Sequence, residues 1–244
     1  MSYIELENLE NNIIFYEPYK HSVIDNFFKE DVAEQLLKEF PSYNDSCWFE
    51  YNSPLELKKT CNNWYNFPAL TYKIFCFLNS KDFINTIKIV MKEHNNLYGD
   101  SGLHGAGWHL HGKGGKLNPH LDYSIHPKLK LYRKYNIIIY LNKEWKEEYG
   151  GSLGLWNYNS NIEPGDLNKE ILPKFNRAVI FETSSKSWHG LSRPVEGNNL
   201  RKSLANYYLT DKEEGEKRTR ALFSPSEEQK NDIYVLDLIK KRSK

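Results

Sequence analysis

Between residues 99 and 210 glycine punctuates the chain. Gly102, Gly105, Gly107, Gly112, Gly114, Gly115, Gly150, Gly151 and Gly154 separate short apolar runs. Glycine weakens helices and supplies the turns that join strands. The runs left between and beyond these glycines, Gly107–His111, Tyr135–Leu141, Ser152–Trp156, Arg177–Phe181 and Leu200–Leu209, have the lengths and the Ile, Phe and Tyr content of strands. Strands that succeed one another without long helices predict an antiparallel sandwich or barrel.

The flanks differ. Residues 1–98 are expected to be mostly helical after a short extended start. In Lys29–Phe40, Val32, Leu36, Leu37 and Phe40 fall at helical spacing, and Pro41 stops the run. Phe67–Leu78 and Lys81–Glu93 read the same way, with Phe83, Ile84, Ile87, Val90 and Met91 on one face. Residues 211–244 form a charged extension: Asp211–Arg220 reads as a solvated loop and Ile233–Ile239 as a short terminal helix. The expected class is mainly β with N-terminal helices, α+β, in a single domain over residues 1–244.

Composition narrows the partners. With 33 Lys+Arg against 32 Asp+Glu the net charge is +1, which gives no electrostatic reason to expect nucleic acid. The longest apolar runs, Ile74–Leu78 and Ile137–Leu141, are too short for a bilayer, so no membrane is expected. Met1 to Leu9 carries acids and no apolar stretch, unlike a signal peptide. Cys47, Cys61 and Cys76 form no close pair along the chain and are expected to be free thiols, with cytoplasm as the expected compartment. Gly107–Lys113 spells the first part of a phosphate-binding loop, but Gly114 stands where Ser or Thr is needed and Pro119 prevents the helix that must follow.

His120-Leu121-Asp122 carries the chemistry. On a strand, residues i and i+2 share a face, so an imidazole and a carboxylate can reach one metal ion. His189, after the apolar Ala178–Phe181 and beside Trp188, is the best third candidate. Two histidines and one carboxylate on one side of a metal leave the opposite positions open, as in the facial triad of non-haem Fe(II) oxygenases. Arg201 follows His189 by twelve residues and shares a strand face with Ser203. Together they would offer a guanidinium fork and a hydroxyl to a carboxylate; alternation alone leaves a surface arginine as the other reading.

The stretch from Gly114 to Thr210 resembles the prolyl 4-hydroxylase-like Fe(II)/2-oxoglutarate oxygenases. The resemblance is carried by Gly114-Gly115-Lys-Leu-Asn-Pro-His120-Leu-Asp122, Tyr135–Trp145, Tyr149-Gly150-Gly151-Ser-Leu153-Gly-Leu-Trp156, Pro173–Phe181, Ser187-Trp188-His189-Gly190 and Arg201-Lys-Ser203. It implies a double-stranded β-helix, the cupin-like jelly roll, with Fe(II) at one mouth. By the same resemblance His120, Asp122 and His189 take the metal positions and Arg201 pairs with the distal carboxylate of 2-oxoglutarate. Tyr140 assists that contact, Ser203 lies beside it, and Leu153 forms an apolar wall, although Leu153 reads equally well as plain core. Asp122 is present, which disfavours the related halogenases. His109, His111, Tyr123 and His126 are possible substrate or cosubstrate contacts, with packing an equal alternative. The implied reaction consumes 2-oxoglutarate and O2, hydroxylates an unactivated C–H bond, and releases succinate and CO2. The primary substrate stays open between a prolyl or other protein side chain and a small metabolite or sugar-linked compound. A zinc-dependent cupin-like hydrolase or isomerase, or a binding module that kept the fold, are the competing classes.

Overall fold

Alternation along the strands decides how the layers form. The computed structural model describes residues 3–213 and 215–242. Its N-terminal part runs α1 (Leu6–Glu10), β1 (Ile14–Phe15), β2 (His21–Ile24), α2 (Glu30–Glu39), β3 (Phe49–Ser53), β4 (Glu56–Cys61), α3 (Ala69–Leu78) and α4 (Lys81–Val90). The central part runs β5 (Tyr98–Gly99), β6 (Gly107–His111), β7 (Lys116–Leu117), β8 (His120–Leu121), β9 (Tyr132–Tyr140), β10 (Leu153–Tyr158), β11 (Pro164–Ile171), β12 (Ala178–Glu182), β13 (His189–Leu191) and β14 (Arg201–Thr210). β15 (Leu222–Phe223) and α5 (Ile233–Arg242) follow.

The strands form two antiparallel sheets. The large one has the order β1-β2-β12-β9-β14-β6-β4-β3, with β5 on β14 and β7 on β4; the small one is β11-β10-β13-β8-β15. Ile137, Ile139, Ala178, Ile180, Leu204, Trp108 and Leu110 face outward from the large sheet and bury against Leu36, Ile74, Phe75, Phe83 and Ile87 of α2, α3 and α4. The intervening residues face the small sheet, where Tyr140, Val179 and Phe181 meet Leu153, Leu155 and Ile171. This period of two puts helices on one side of the large sheet and a site on the other. Among the described residues no helix is long and apolar enough to cross a membrane.

The antiparallel sandwich expected for the middle of the chain is present. The flanks need correcting. Residues 1–98 are not mostly helical: β1 to β4 lie there, and β2, β3 and β4 are integral to the large sheet. The C-terminal stretch is not merely an extension, because β15 completes the small sheet beside β8. Both segments lack clean apolar alternation, since each lies at or near a sheet edge where one face meets solvent.

Candidate active site

The small sheet brings the triad together. His120 and His189 are direct partners between β8 and β13, and Asp122 follows β8 by one residue. Gly190 permits this approach: a Cβ there would lie 2.7 Å from the carbonyl oxygens of Leu117 and Asn118. All three side chains are buried, and one ligand atom from each lies within 4.8 Å of the others. His120 Nε2 is 3.8 Å from Asp122 Oδ1, and His189 Nε2 is 3.7 Å from Asp122 Oδ2.

Hydrogen bonding decides which ring nitrogens are free. His120 Nδ1 lies 3.0 Å from the Asn118 carbonyl, and His189 Nδ1 lies 2.9 Å from the Ser187 carbonyl. A carbonyl only accepts, so each Nδ1 carries the proton and each Nε2 presents a lone pair. Burial, followed by the neighbouring His189, pushes His120 down to about 3, so the ring stays neutral. Two lone pairs and a carboxylate therefore converge with no proton between them, and Asp122 Oδ2 has no hydrogen-bond partner among the described residues. Such a cluster of Lewis bases is relieved by a divalent cation, and its donor set suits Fe(II).

Arg133 completes the site, and alternation counted along β9 does not reveal it. Its Nη1 lies 3.4 Å from Asp122 Oδ1. The guanidinium is clamped between the rings of Tyr123 and Tyr207, 3.5 and 3.4 Å from their centroids, and donates to the His104 carbonyl at 2.7 Å. It also contacts the Tyr123 hydroxyl, which donates to the same carbonyl. Burial would raise the Asp122 carboxyl, but Arg133 and the flanking imidazoles outweigh it and hold the group below the usual carboxylate range.

Across from the triad, the large sheet sets Ser203 opposite both Tyr140 and His109, and Arg201 opposite His111. Arg201 is buried; its Nε donates to the Gly151 carbonyl at 2.6 Å and its Nη2 to the Tyr140 hydroxyl at 3.3 Å. No described carboxylate pairs with it. The Gly150-Gly151 turn that supplies this carbonyl has φ of 63° and 68°, and a Cβ on Gly150 would fall 2.0 Å from the Pro194 carbonyl oxygen. Leu153 is buried beside Tyr140, Val179 and Phe181, as a wall or core residue would be.

His109 Nε2 and both ring nitrogens of His111 are buried without a partner among the described residues. Burial, then the charges of Lys58 and Arg201, pushes His109 down to about 3, and burial with Arg201 holds His111 well below its ordinary value. The other two candidates sit in loop networks: Tyr123 on Arg133, and His126 with Nδ1 accepting from the Lys128 and Leu129 amides and Nε2 3.3 Å from Asp100.

A pH dependence follows from these shifts. Folded His109 resists protonation while the unfolded side chain takes a proton near pH 6.5, so stability is present at pH 7 and is lost as pH falls. Between pH 7 and 5 His109 alone should cost about 2 kcal/mol, and His111 acts in the same direction. Urea unfolding of the metal-free protein at both values measures it; equal stabilities would contradict the buried neutral state.

Comparisons with known proteins agree with this geometry. The profile of the 2OG-Fe(II) oxygenase superfamily matches residues 106–219. Prolyl 3-hydroxylase OGFOD1 of Xenopus laevis is 34% identical over 76 residues, covering 31% of this chain and 15% of the relative. The Mus musculus protein of the same name is 24% identical over 210 residues, covering 79% of this chain and 33% of the relative. The chain thus spans a third or less of the length of these curated relatives. A Pseudomonas putida prolyl-4-hydroxylase superposes with a TM-score of 0.57 at 14% identity, over 78% of this chain and 92% of that one, and shares the fold. Residues 106–219 of this chain are therefore similar to the 2OG-Fe(II) oxygenase superfamily, and its fold is that of a prolyl-4-hydroxylase structure.

Proposed function

We propose that this chain is an Fe(II)- and 2-oxoglutarate-dependent hydroxylase acting on an unactivated C–H bond. One observation carries the reading: three convergent Lewis bases face a buried arginine that has no carboxylate of its own. Bound Fe(II), with 2-oxoglutarate and O2, supplies the oxidising power that no side chain has, and the by-products are succinate and CO2. His120, Asp122 and His189 hold the metal. The Asn118 and Ser187 carbonyls keep both imidazoles in the ligating tautomer. Arg133 orients the carboxylate.

Arg201 and Tyr140 take the distal carboxylate of 2-oxoglutarate, with Ser203 alongside. Burial strengthens that pairing and demands a group that is always charged. Leu153, Val179 and Phe181 exclude water from the same space. A zinc hydrolase built on the triad would have no use for this cradle. A prolyl or other protein side chain is the first substrate class to test, because the curated relatives are named prolyl hydroxylases. Mass spectrometry of proline-containing peptides incubated with enzyme, Fe(II) and 2-oxoglutarate should show the gain of one oxygen; a gain confined to small metabolites would move the reading to that class.

Arg201→Lys keeps the charge and loses the fork. A charge-assisted pair contributes about 1.5–3 kcal/mol, so the KM for 2-oxoglutarate should rise roughly tenfold to a hundredfold, with iron affinity little changed. Succinate formation titrated with 2-oxoglutarate at saturating iron measures this. An unchanged KM would assign the distal carboxylate to another residue.

A further inference from the structure

The inner face of the large sheet continues past His109 onto β4 and there carries charge that neither metal nor cosubstrate uses. Thr60 pairs with His109, so Lys58, two residues earlier, faces the same side. Tyr51 is the partner of Lys58 across the β3–β4 hairpin, and the ammonium lies 4.9 Å from its ring centroid. Phe49, next on that face, is 63% exposed and meets Tyr51 edge-on. The result is a cation beside an open aromatic ledge.

Glu56 offsets only part of it. Its Oε2 is 3.2 Å from Lys58 Nζ, while its Oε1 is already taken by Arg242 at 2.8 Å. One carboxylate faces two cations. Arg242 in turn covers Phe223, whose ring stacks on His120 at 5.2 Å, so the cluster adjoins the triad. The charge of Lys58 is felt at His109, at His111 and at all three triad side chains. The other cations near the site have work: Arg133 answers Asp122, Arg218 donates to the Asp122 and Ser184 carbonyls, and Arg201 awaits the cosubstrate. The whole chain carries only +1, so this is a local surplus. A half-buried surplus of one sign selects a ligand of the other.

We propose that Lys58 seats an anionic group of the primary substrate, whose organic body lies against Tyr51 and Phe49. This rests on the hydroxylase reading above and specifies its substrate as an organic anion, either a free acid or a peptide acidic near its target residue.

The test uses cell extract divided by ultrafiltration into small-molecule and peptide fractions. Each fraction is split on an anion-exchange resin at neutral pH into retained and flow-through pools. Each pool is added to the enzyme with Fe(II) and 2-oxoglutarate, and succinate above the pool-free rate is measured. The increment is expected from a retained pool, and its size fraction tells free acid from acidic peptide. In Lys58→Gln the amount of pool giving half the increment should rise roughly tenfold or more, while the KM for 2-oxoglutarate is held; Lys58→Arg should restore much of it. Added salt should weaken the wild-type increment, a readout that needs no variant. Stimulation by the flow-through pool alone, no stimulating pool at all, or a Lys58→Gln enzyme that needs no more pool than wild type would overturn the proposal. Wild-type enzyme that consumes no 2-oxoglutarate would instead overturn the hydroxylase reading.

Discussion

Asp122→Ala is expected to abolish 2-oxoglutarate turnover and also to destabilise the fold. The first effect is loss of a metal ligand. Losing a mere supporting partner of a ligand costs tenfold to a hundredfold, so losing the ligand itself should cost at least roughly a hundredfold in rate. The second effect comes from Arg133, whose guanidinium stands 3.4 Å from Asp122 Oδ1 and is 3% exposed as a residue. Removing one member of a buried pair strands the other charge, at about 3–5 kcal/mol. For a chain of this size that lowers the Tm by roughly 6–20 °C. Asp122→Asn keeps a polar partner for Arg133, so it should lose the activity with a smaller fall in Tm. Thermal melts and succinate assays on both variants measure the two effects separately; an active, stable Asp122→Ala protein would remove this residue from the site.

Arg133→Met should reproduce the destabilisation by stranding the opposite charge. The buried Asp122 carboxylate would then lose the guanidinium that pairs with it, again at about 3–5 kcal/mol in the metal-free protein. The cation–π clamp of Tyr123 and Tyr207 would be lost as well. A bound divalent ion supplies the missing positive charge. Metal should therefore raise the Tm of Arg133→Met by more than it raises that of wild type, which a simple packing defect would not do. Turnover should still fall roughly tenfold to a hundredfold, because the carboxylate is no longer held in orientation. Melts with and without Mn(II) check the linkage, and equal metal-induced shifts would mean that Arg133 supports only the fold.

The triad was legible because its constraints are local. His120 and Asp122 are two residues apart, and His189 follows the apolar run Ala178–Phe181 and stands beside Trp188. Arg201 was less legible: the alternation of its strand left a surface arginine open, and only the resemblance singled it out. Arg133 was not legible. Counted back from Tyr140, alternation puts it on the outer face with Ile137 and Ile139. The register slips between Tyr208 and Leu209, and that irregularity turns Arg133 inward onto Tyr207. Lys58 was hidden differently: β4 reads Glu-Leu-Lys-Lys-Thr-Cys, with charge on both faces, so no apolar period marks it as a strand. Edge strand β11 keeps Leu167 41% exposed and shows no alternation either. β15 is two residues long, and only its pairing with His120 and Leu121 makes it part of the site.

The central claim is that the three Lewis bases and Arg201 form one iron and 2-oxoglutarate site. It is tested most directly by stoichiometry and metal dependence in a single assay. Purified protein is stripped of metal, reloaded with Fe(II) or Zn(II), and given 2-oxoglutarate under O2 while succinate and residual 2-oxoglutarate are both quantified. The account predicts succinate equal to the 2-oxoglutarate consumed, only with Fe(II), and none in the stripped or zinc-loaded protein. Consumption that survives stripping, or that zinc supports as well as iron, would contradict it.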